Sequence, residues 1–248
     1  MSKDKVALIT GGTGDIGTAI AKQLSKKYEK IIALDVLAPD IALLWQSSLH
    51  ENGYKQIFYR QMDVTDYSEC EKVIKNIVRE FGRIDVLVNN AGITRDAVFT
   101  KMTKQQWDEV LSVNLDGMFN TTKQVVDQMR AQEGGRIINV SSVNAQKGQF
   151  SQANYAASKA GVYGFTKSLA QELMSKNITV NSISPGYVNT RLMKGIRPDI
   201  LDSIIELIPA KRLAEPEEIG WVVEFLVDEK SSYLTGANIS INGGLHMY

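Results

Sequence analysis

Short runs dense in apolar and β-branched residues alternate along the chain with longer stretches in which apolar positions recur every three or four residues. The runs VALIT (6–10), KIIALD (30–35), KQIFYRQ (55–61), IDVLVNN (84–90), GRIINVSS (135–142), ITVNSISP (178–185) and ANISING (237–243) predict strands. Amphipathic segments over 15–28, 38–52, 66–82, 103–132, 152–176 and 215–228 predict helices between them. Several strands are almost continuously apolar, as strands are when helices cover both faces of a parallel sheet. The βαβα order, kept to the last strand, predicts an α/β fold: a doubly wound parallel sheet of about seven strands with helices on both faces. No Pro/Ser/Gly-rich linker and no short-period repeat interrupts the pattern, so residues 1–248 are expected to form a single domain. The rhythm breaks once. After Pro185-Gly186 about thirty residues precede the next helix, and an excursion of that length at a strand end reads as a ligand lid, here residues 187–214.

Charge adds an exclusion. Lysine plus arginine and aspartate plus glutamate number 28 each, so no global field favours nucleic acid or an anionic membrane as partner. The start MSKDKVALITGG lacks the apolar core of a signal peptide, and no stretch approaches the ~20 apolar residues of a membrane span. The single cysteine, Cys70, cannot form an internal disulfide, and flanking Glu69 and Glu71 disfavour its thiolate. A reducing cytoplasm is the expected location. His50 and His246 lie far apart without ligand-like neighbours, so no metal site is expected.

The first loop carries chemistry. Residues 12–17 read G-T-G-D-I-G, directly after a strand and at the head of a helix. In a first βαβ unit, such glycines let the backbone approach a pyrophosphate, and the helix amino terminus supplies unpaired N–H groups. Asp35 closes the second predicted strand, eighteen residues after Gly17. It either accepts hydrogen bonds from the adenosine ribose hydroxyls or serves as a capping or solvated aspartate. In the first role it repels a 2′-phosphate, and no arginine or lysine follows in DVLAPD to reverse that, which favours NAD(H) over NADP(H). Asp63, in QMDVTD, either contacts the adenine amino group or starts the turn before the next helix.

The stretch NYAASKAG places Tyr155 and Lys159 at i and i+4, on one face of a helix. A free tyrosine titrates near ~10, too high for efficient proton exchange at neutral pH. An ammonium within ~4 Å, at an effective dielectric near ~20, attracts the phenolate by on the order of 4 kcal/mol. Alone, the motif is better explained as a surface pair. Its company matters: Ser142 ends the fifth strand, Asn89-Asn90-Ala91-Gly92 ends the fourth, and Asn114 stands mid-helix where an asparagine needs a task. Strand carboxyl ends converge on the ligand crevice of such a sheet.

Together TGGTGDIG, NNAG, VNLDG, Ser142, YAASK and SPG resemble the single-domain short-chain dehydrogenase/reductase family over essentially the whole chain. The resemblance implies one Rossmann-type, dinucleotide-binding catalytic domain, in which Tyr155 is the general acid/base, Lys159 lowers its pKa and holds the nicotinamide ribose, Ser142 positions the carbonyl and Asn114 anchors a water in the proton relay. The cofactor is then expected against Gly11, Gly12, Gly14, Asp15, Ile16, Gly17, Asp35, Asp63, Val64, Asn90, Ala91, Gly92, Tyr155 and Lys159. Pro185, Gly186, Val188 and Thr190 would border its nicotinamide end. One departure stands out. The family spaces its glycines T-G-x-x-x-G-x-G, and here Asp15 occupies the middle glycine position, with Gly14 one residue earlier.

More narrowly, AGITRDAVFTKMT (91–103), SSVNAQKGQFSQANY (141–155) and NGGLHMY (242–248) are similar to acetoacetyl-CoA reductases of polyhydroxyalkanoate synthesis. That likeness implies a short 3-oxoacyl thioester as substrate, an R product, and an acyl pocket lined by Gln149, Phe150, Gln152 and Tyr187. Arg95, Lys101, Lys104, Lys147, Arg191, Lys194 and Arg197 fall near the strand carboxyl ends, either to meet CoA phosphates or as scattered solubilising charges. A 3-oxoacyl-(acyl-carrier-protein) reductase is the neighbouring alternative, and a non-catalytic dinucleotide sensor the remote one. A homotetramer assembled through the helices near 103–132 and 152–176 is also implied.

Overall fold

A computed structural model describes residues 5–247. Seven strands form one parallel sheet in the order β3-β2-β1-β4-β5-β6-β7. They are β1 (Val6–Thr10), β2 (Lys30–Asp35), β3 (Ile57–Gln61), β4 (Val86–Asn89), β5 (Gly135–Val140), β6 (Ile178–Pro185) and β7 (Asn238–Ile241). The helices are α1 (Asp15–Leu24), α2 (Pro39–Glu51), α3 (Tyr67–Phe81), α4 (Lys104–Leu111), α5 (Gly117–Ala131), α6 (Val143–Lys147), α7 (Ala153–Leu173), α8 (Arg191–Lys194), α9 (Pro198–Leu207) and α10 (Pro216–Val227).

Apolar residues alternate to both faces of each central strand, and each face has its own cover. On one face Ile9, Val88 and Ile183 pack under Ile20 and Leu24 of α1 and Ile219 and Val223 of α10. On the other, Leu8, Leu87 and Val180 pack under Ile74 and Ile77 of α3, Val125 and Met129 of α5 and Leu173 of α7. Helix ends carry their expected stops. Asp66 caps α3 by accepting from the Glu69 N–H, and Gly82 closes it with φ +76°. Thr103 and Gln106 form a capping box at α4, and Pro216 opens α10.

Several expectations shift at their edges. The strand expected over 135–142 ends at Val140, because Ser142 turns out to cap the short helix α6, accepting from the Asn144 N–H. The single helix expected over 103–132 is α4 and α5 joined by a π-helical turn, Ser112–Asp116, which holds Asn114. The excursion at 187–214 contains α8 and α9, tethered by a bridge between Val188 and Ala214, and none of the residues of α9 is buried. The sheet's order reverses between β1 and β4, and there the strand carboxyl ends open a crevice.

Candidate active site

The crevice is a cleft of about 1380 Å³ that runs from Asp35 past the β1–α1 loop to Tyr155 and beneath the α8–α9 excursion. Its loop is shaped by sterics. Gly11 sits at φ +60°, and a methyl on Gly12 would come within 2.7 Å of the Ala33 side chain. A methyl on Gly17 would overlap the Gly11 carbonyl oxygen and stand 2.8 Å from Gly12 Cα. The loop therefore closes on itself with no side chain between backbone and ligand. Such a cradle, at the head of α1, fits a dinucleotide pyrophosphate.

Neighbouring polar groups brace the cradle. Asp35 Oδ2 accepts from the Thr13 hydroxyl at 2.5 Å and from Thr13 N–H at 3.2 Å, while Oδ1 accepts from Val36 N–H. Asn90 donates to the carbonyls of Thr10 and Gly11 at 3.1 and 3.0 Å, tying the end of β4 to the loop. Asp63 Oδ1 holds the turn through Thr65 N–H and hydroxyl, yet the residue also lines the cleft, as does Val64. Ala91, Gly92, Pro185, Gly186, Val188, Thr190, Gly14, Asp15 and Ile16 line it too. Gly12 alone of the expected cofactor residues lies behind the lining, packed on Ala33.

At the other end Tyr155, Lys159 and Ser142 come together. Ser142 Oγ accepts from the Asn144 N–H at 3.1 Å and is also hydrogen-bonded to the Tyr155 hydroxyl. Burial pushes the Tyr155 hydroxyl above its ordinary value; the Ser142 hydrogen bond pulls it down, and the nearby Asp96 carboxylate pushes it up. Lys159 is fully enclosed, and burial lowers it from 10.5 to about 8. Its Nζ donates to the Val140 carbonyl at 2.8 Å and stands 5.9 Å from the centre of the Tyr155 ring. The ammonium is bonded to the strand end, close to the tyrosine ring yet without a hydrogen bond to its hydroxyl. The sign of the tyrosine shift thus differs from the sequence argument, because burial outweighs an ammonium that is not aimed at the oxygen.

Asn114, 1% exposed, spends its side chain on scaffolding. Oδ1 accepts from Ile93 N–H at 2.8 Å, and Nδ2 donates to the Ile93 carbonyl at 3.0 Å and to Ser158 Oγ at 3.2 Å. The π-turn that carries Asn114 is a distortion often found at functional sites.

The acyl end is only partly as expected. Gln149, Gln152 and Tyr187 line the cleft. Phe150 does not: it is 81% exposed, carried out by a tight turn in which Gly148 and Ser151 both have positive φ. Sequence reasoning missed Asn144 and Asp96. Gln152 donates to Asp96 at 2.9 Å and accepts from Asn144 Nδ2 at 2.9 Å, and Asn144 Oδ1 is buried without a partner. The only sequence signal was proximity of Asn144 to Ser142. Of the cations, Arg95, Lys104, Arg191 and Arg197 are engaged by Glu109, Asp108, Asp15 and Asp199. Cys70 is buried, and its thiol is pushed up to about 11, chiefly by burial.

Comparison with known proteins agrees with this geometry. The short chain dehydrogenase family model matches residues 5–201. The acetoacetyl-CoA reductase of Cupriavidus necator is 46% identical over 243 residues, covering 98% of each chain. That of Allochromatium vinosum is 45% identical over 245 residues, covering 98% of this chain and 99% of its own. The 3-oxoacyl-(acyl-carrier-protein) reductase of Staphylococcus epidermidis is 40% identical over 244 residues, covering 98% and 100%. A nicotinamide-dinucleotide cradle, a tyrosine beside a buried lysine and relatives along nearly the whole length agree: the chain belongs to the short-chain dehydrogenase family and is an oxidoreductase acting on a CH–OH group.

Proposed function

We propose that the protein reduces acetoacetyl-CoA, or another short 3-oxoacyl-CoA, to the (R)-3-hydroxyacyl-CoA, with NADH preferred over NADPH. One observation carries the reading: long hydrogen-bonding side chains, Gln149, Gln152 and Tyr187, line the same cleft as Tyr155, beside a cradle that fits the dinucleotide. The names of the relatives support the substrate. A dinucleotide held in the cradle would supply the hydride to C3. Tyr155 gives its proton to the forming alkoxide, and Ser142, its lone pair held by the Asn144 N–H, donates to the same oxygen. Lys159, whose Nζ donates to the Val140 carbonyl, would hold the nicotinamide ribose and place positive charge near the phenol. Gly11, Gly14, Ile16 and Gly17 hold the pyrophosphate, and Pro185, Val188 and Thr190 border the nicotinamide. The preference for NADH rests on Asp35, whose carboxylate at the end of β2 disfavours a 2′-phosphate.

The test is the initial rate of acetoacetyl-CoA reduction with NADH and NADPH in parallel. Turnover with both and a lower KM for NADH is expected; Asp35→Ala should narrow that gap about tenfold by relieving the NADPH penalty. Turnover with NADPH alone would overturn the cofactor reading. The S. epidermidis relative makes carrier-protein thioesters the second reading. Activity on those thioesters with none on acetoacetyl-CoA would replace the first.

We also read the protein as a cytoplasmic homotetramer. No helix among the described residues is long and apolar enough to cross a membrane. Trp221 and Phe225 on α10 are both more than half exposed, and Tyr67 stacks on Phe119 at 6.5 Å on the surface, apolar area that assembly would cover. Light scattering should return four times the chain mass; a monomer would remove the reading.

A further inference from the structure

The aspartate that displaces the family's middle glycine is not idle. Asp15 is the first residue of α1, in the turn that cradles the pyrophosphate, and a carboxylate there competes with phosphate for the same positive helix end. Both of its oxygens are taken by one residue 176 positions away. Asp15 Oδ2 accepts from the backbone N–H of Arg191 at 2.6 Å, and Oδ1 accepts from Arg191 Nε at 2.9 Å. Arg191 opens α8, the first helix of the excursion over the cleft. Thr190, which precedes it, makes no side-chain cap bond, so Asp15 caps α8 from across the cleft and leaves that task off the threonine.

We infer that Asp15 and Arg191 are a positioning pair for the dinucleotide: Arg191 neutralises the carboxylate beside the pyrophosphate, and the same contact docks the start of the lid on the phosphate loop. The inference rests on dinucleotide binding and is independent of the acyl substrate. Stability is not the pair's task. The Arg191 side chain is 76% exposed, and an ion pair that open to solvent contributes little to folding. Its effect belongs in binding, where an unpaired Asp15 would repel a doubly charged group at close range.

The test is a double-mutant cycle on cofactor affinity, read by NADH fluorescence on the ligand-free protein, or by NADPH fluorescence if the native protein binds only that form. Arg191→Ala is expected to weaken binding about tenfold, because it uncovers the carboxylate. Asp15→Gly alone should change affinity less than about threefold, since repulsion and docking are lost together. The double variant Asp15→Gly, Arg191→Ala should return to within about threefold of native, and Arg191→Lys should retain most of the affinity. Melting temperatures of all four should stay within a few degrees, consistent with exposed sites. If the double variant binds as weakly as Arg191→Ala, arginine contacts the phosphate directly and the pairing role falls. Native affinity in Arg191→Ala would overturn it as well. The acetoacetyl-CoA assay is run on the native protein and reads its substrate whatever these variants bind, so the two readings fail separately.

Discussion

Tyr155→Phe is expected to lower carbonyl reduction by at least about a thousandfold while leaving cofactor affinity within about twofold. The ring and its contacts survive the change; what disappears is the O–H beside Ser142, and a positioned acid contributes on the order of 10²–10⁴ in rate. A retained rate would show that the proton comes from elsewhere and would remove Tyr155 from the role of acid. The pH profile supplies a second check. Lys159 titrates at about 8, so it is charged below that pH and neutral above it. The native rate of reduction should therefore fall as pH rises through about 8, and the residual rate of Lys159→Met should lack that limb. The linkage to stability has the opposite sense. A lysine lowered in the folded state binds fewer protons there than in the unfolded chain between about 8 and 10.5, so this residue's contribution to stability rises with pH across that window. Lys159→Met should accordingly lose activity without losing stability at neutral pH, a combination that a packing residue would not give.

Gly17→Ala is the second large effect. The added methyl would meet the Gly11 carbonyl and Gly12 Cα, both backbone, so no side chain can move aside and the loop itself must open. Cofactor affinity is expected to fall at least about a hundredfold, with a melting temperature lower by several degrees. At Gly14 the same methyl would meet only the Gly11 carbonyl, at 3.4 Å, an ordinary contact. Gly14→Ala should therefore melt as the native protein does. Equal melting of Gly17→Ala and native protein would show that the loop has more room than its geometry indicates.

What the chain's own pattern revealed, and what it hid, follows from the range of the interactions. The strands VALIT, KIIALD and ITVNSISP were legible to the residue: the first two centre on apolar runs buried on both faces, and the third on β-branched residues bounded by Asn177 and Gly186. Tyr155 and Lys159 were legible as neighbours, because i, i+4 spacing is local. The direction of the lysine was not: its Nζ answers to the carbonyl of Val140, on a different element. The end of β5 was overrun because α6 has only five residues, too few to impose a helical period on SSVNAQ. Asn114 was flagged as misplaced in a helix, yet the π-turn that explains it depends on Ile93 and Ser158. Asp15 looked like a flaw in the loop, because its partner lies at the far end of the sheet's connectivity. Phe150 was assigned to the pocket by likeness, and a turn with positive φ at two positions sends it to solvent.

The strand order has a consequence for how the protein is made. β1 pairs with β2 on one side and β4 on the other, with Ala7 opposite Val86. At synthesis rates of ~5–20 residues per second, this fully buried strand waits several seconds on the ribosome with one edge unpaired. β7 arrives last, and Gly186 N–H donates to its Ile241 carbonyl at 2.8 Å. The Pro185–Gly186 end of the cleft thus closes only when nearly the whole chain has emerged. Non-local parallel pairing of this kind folds slowly and exposes strand edges in the meantime. A nascent chain halted before residue 238 would carry every residue of the Tyr155 cluster and still lack the strand that backs Pro185 and Gly186.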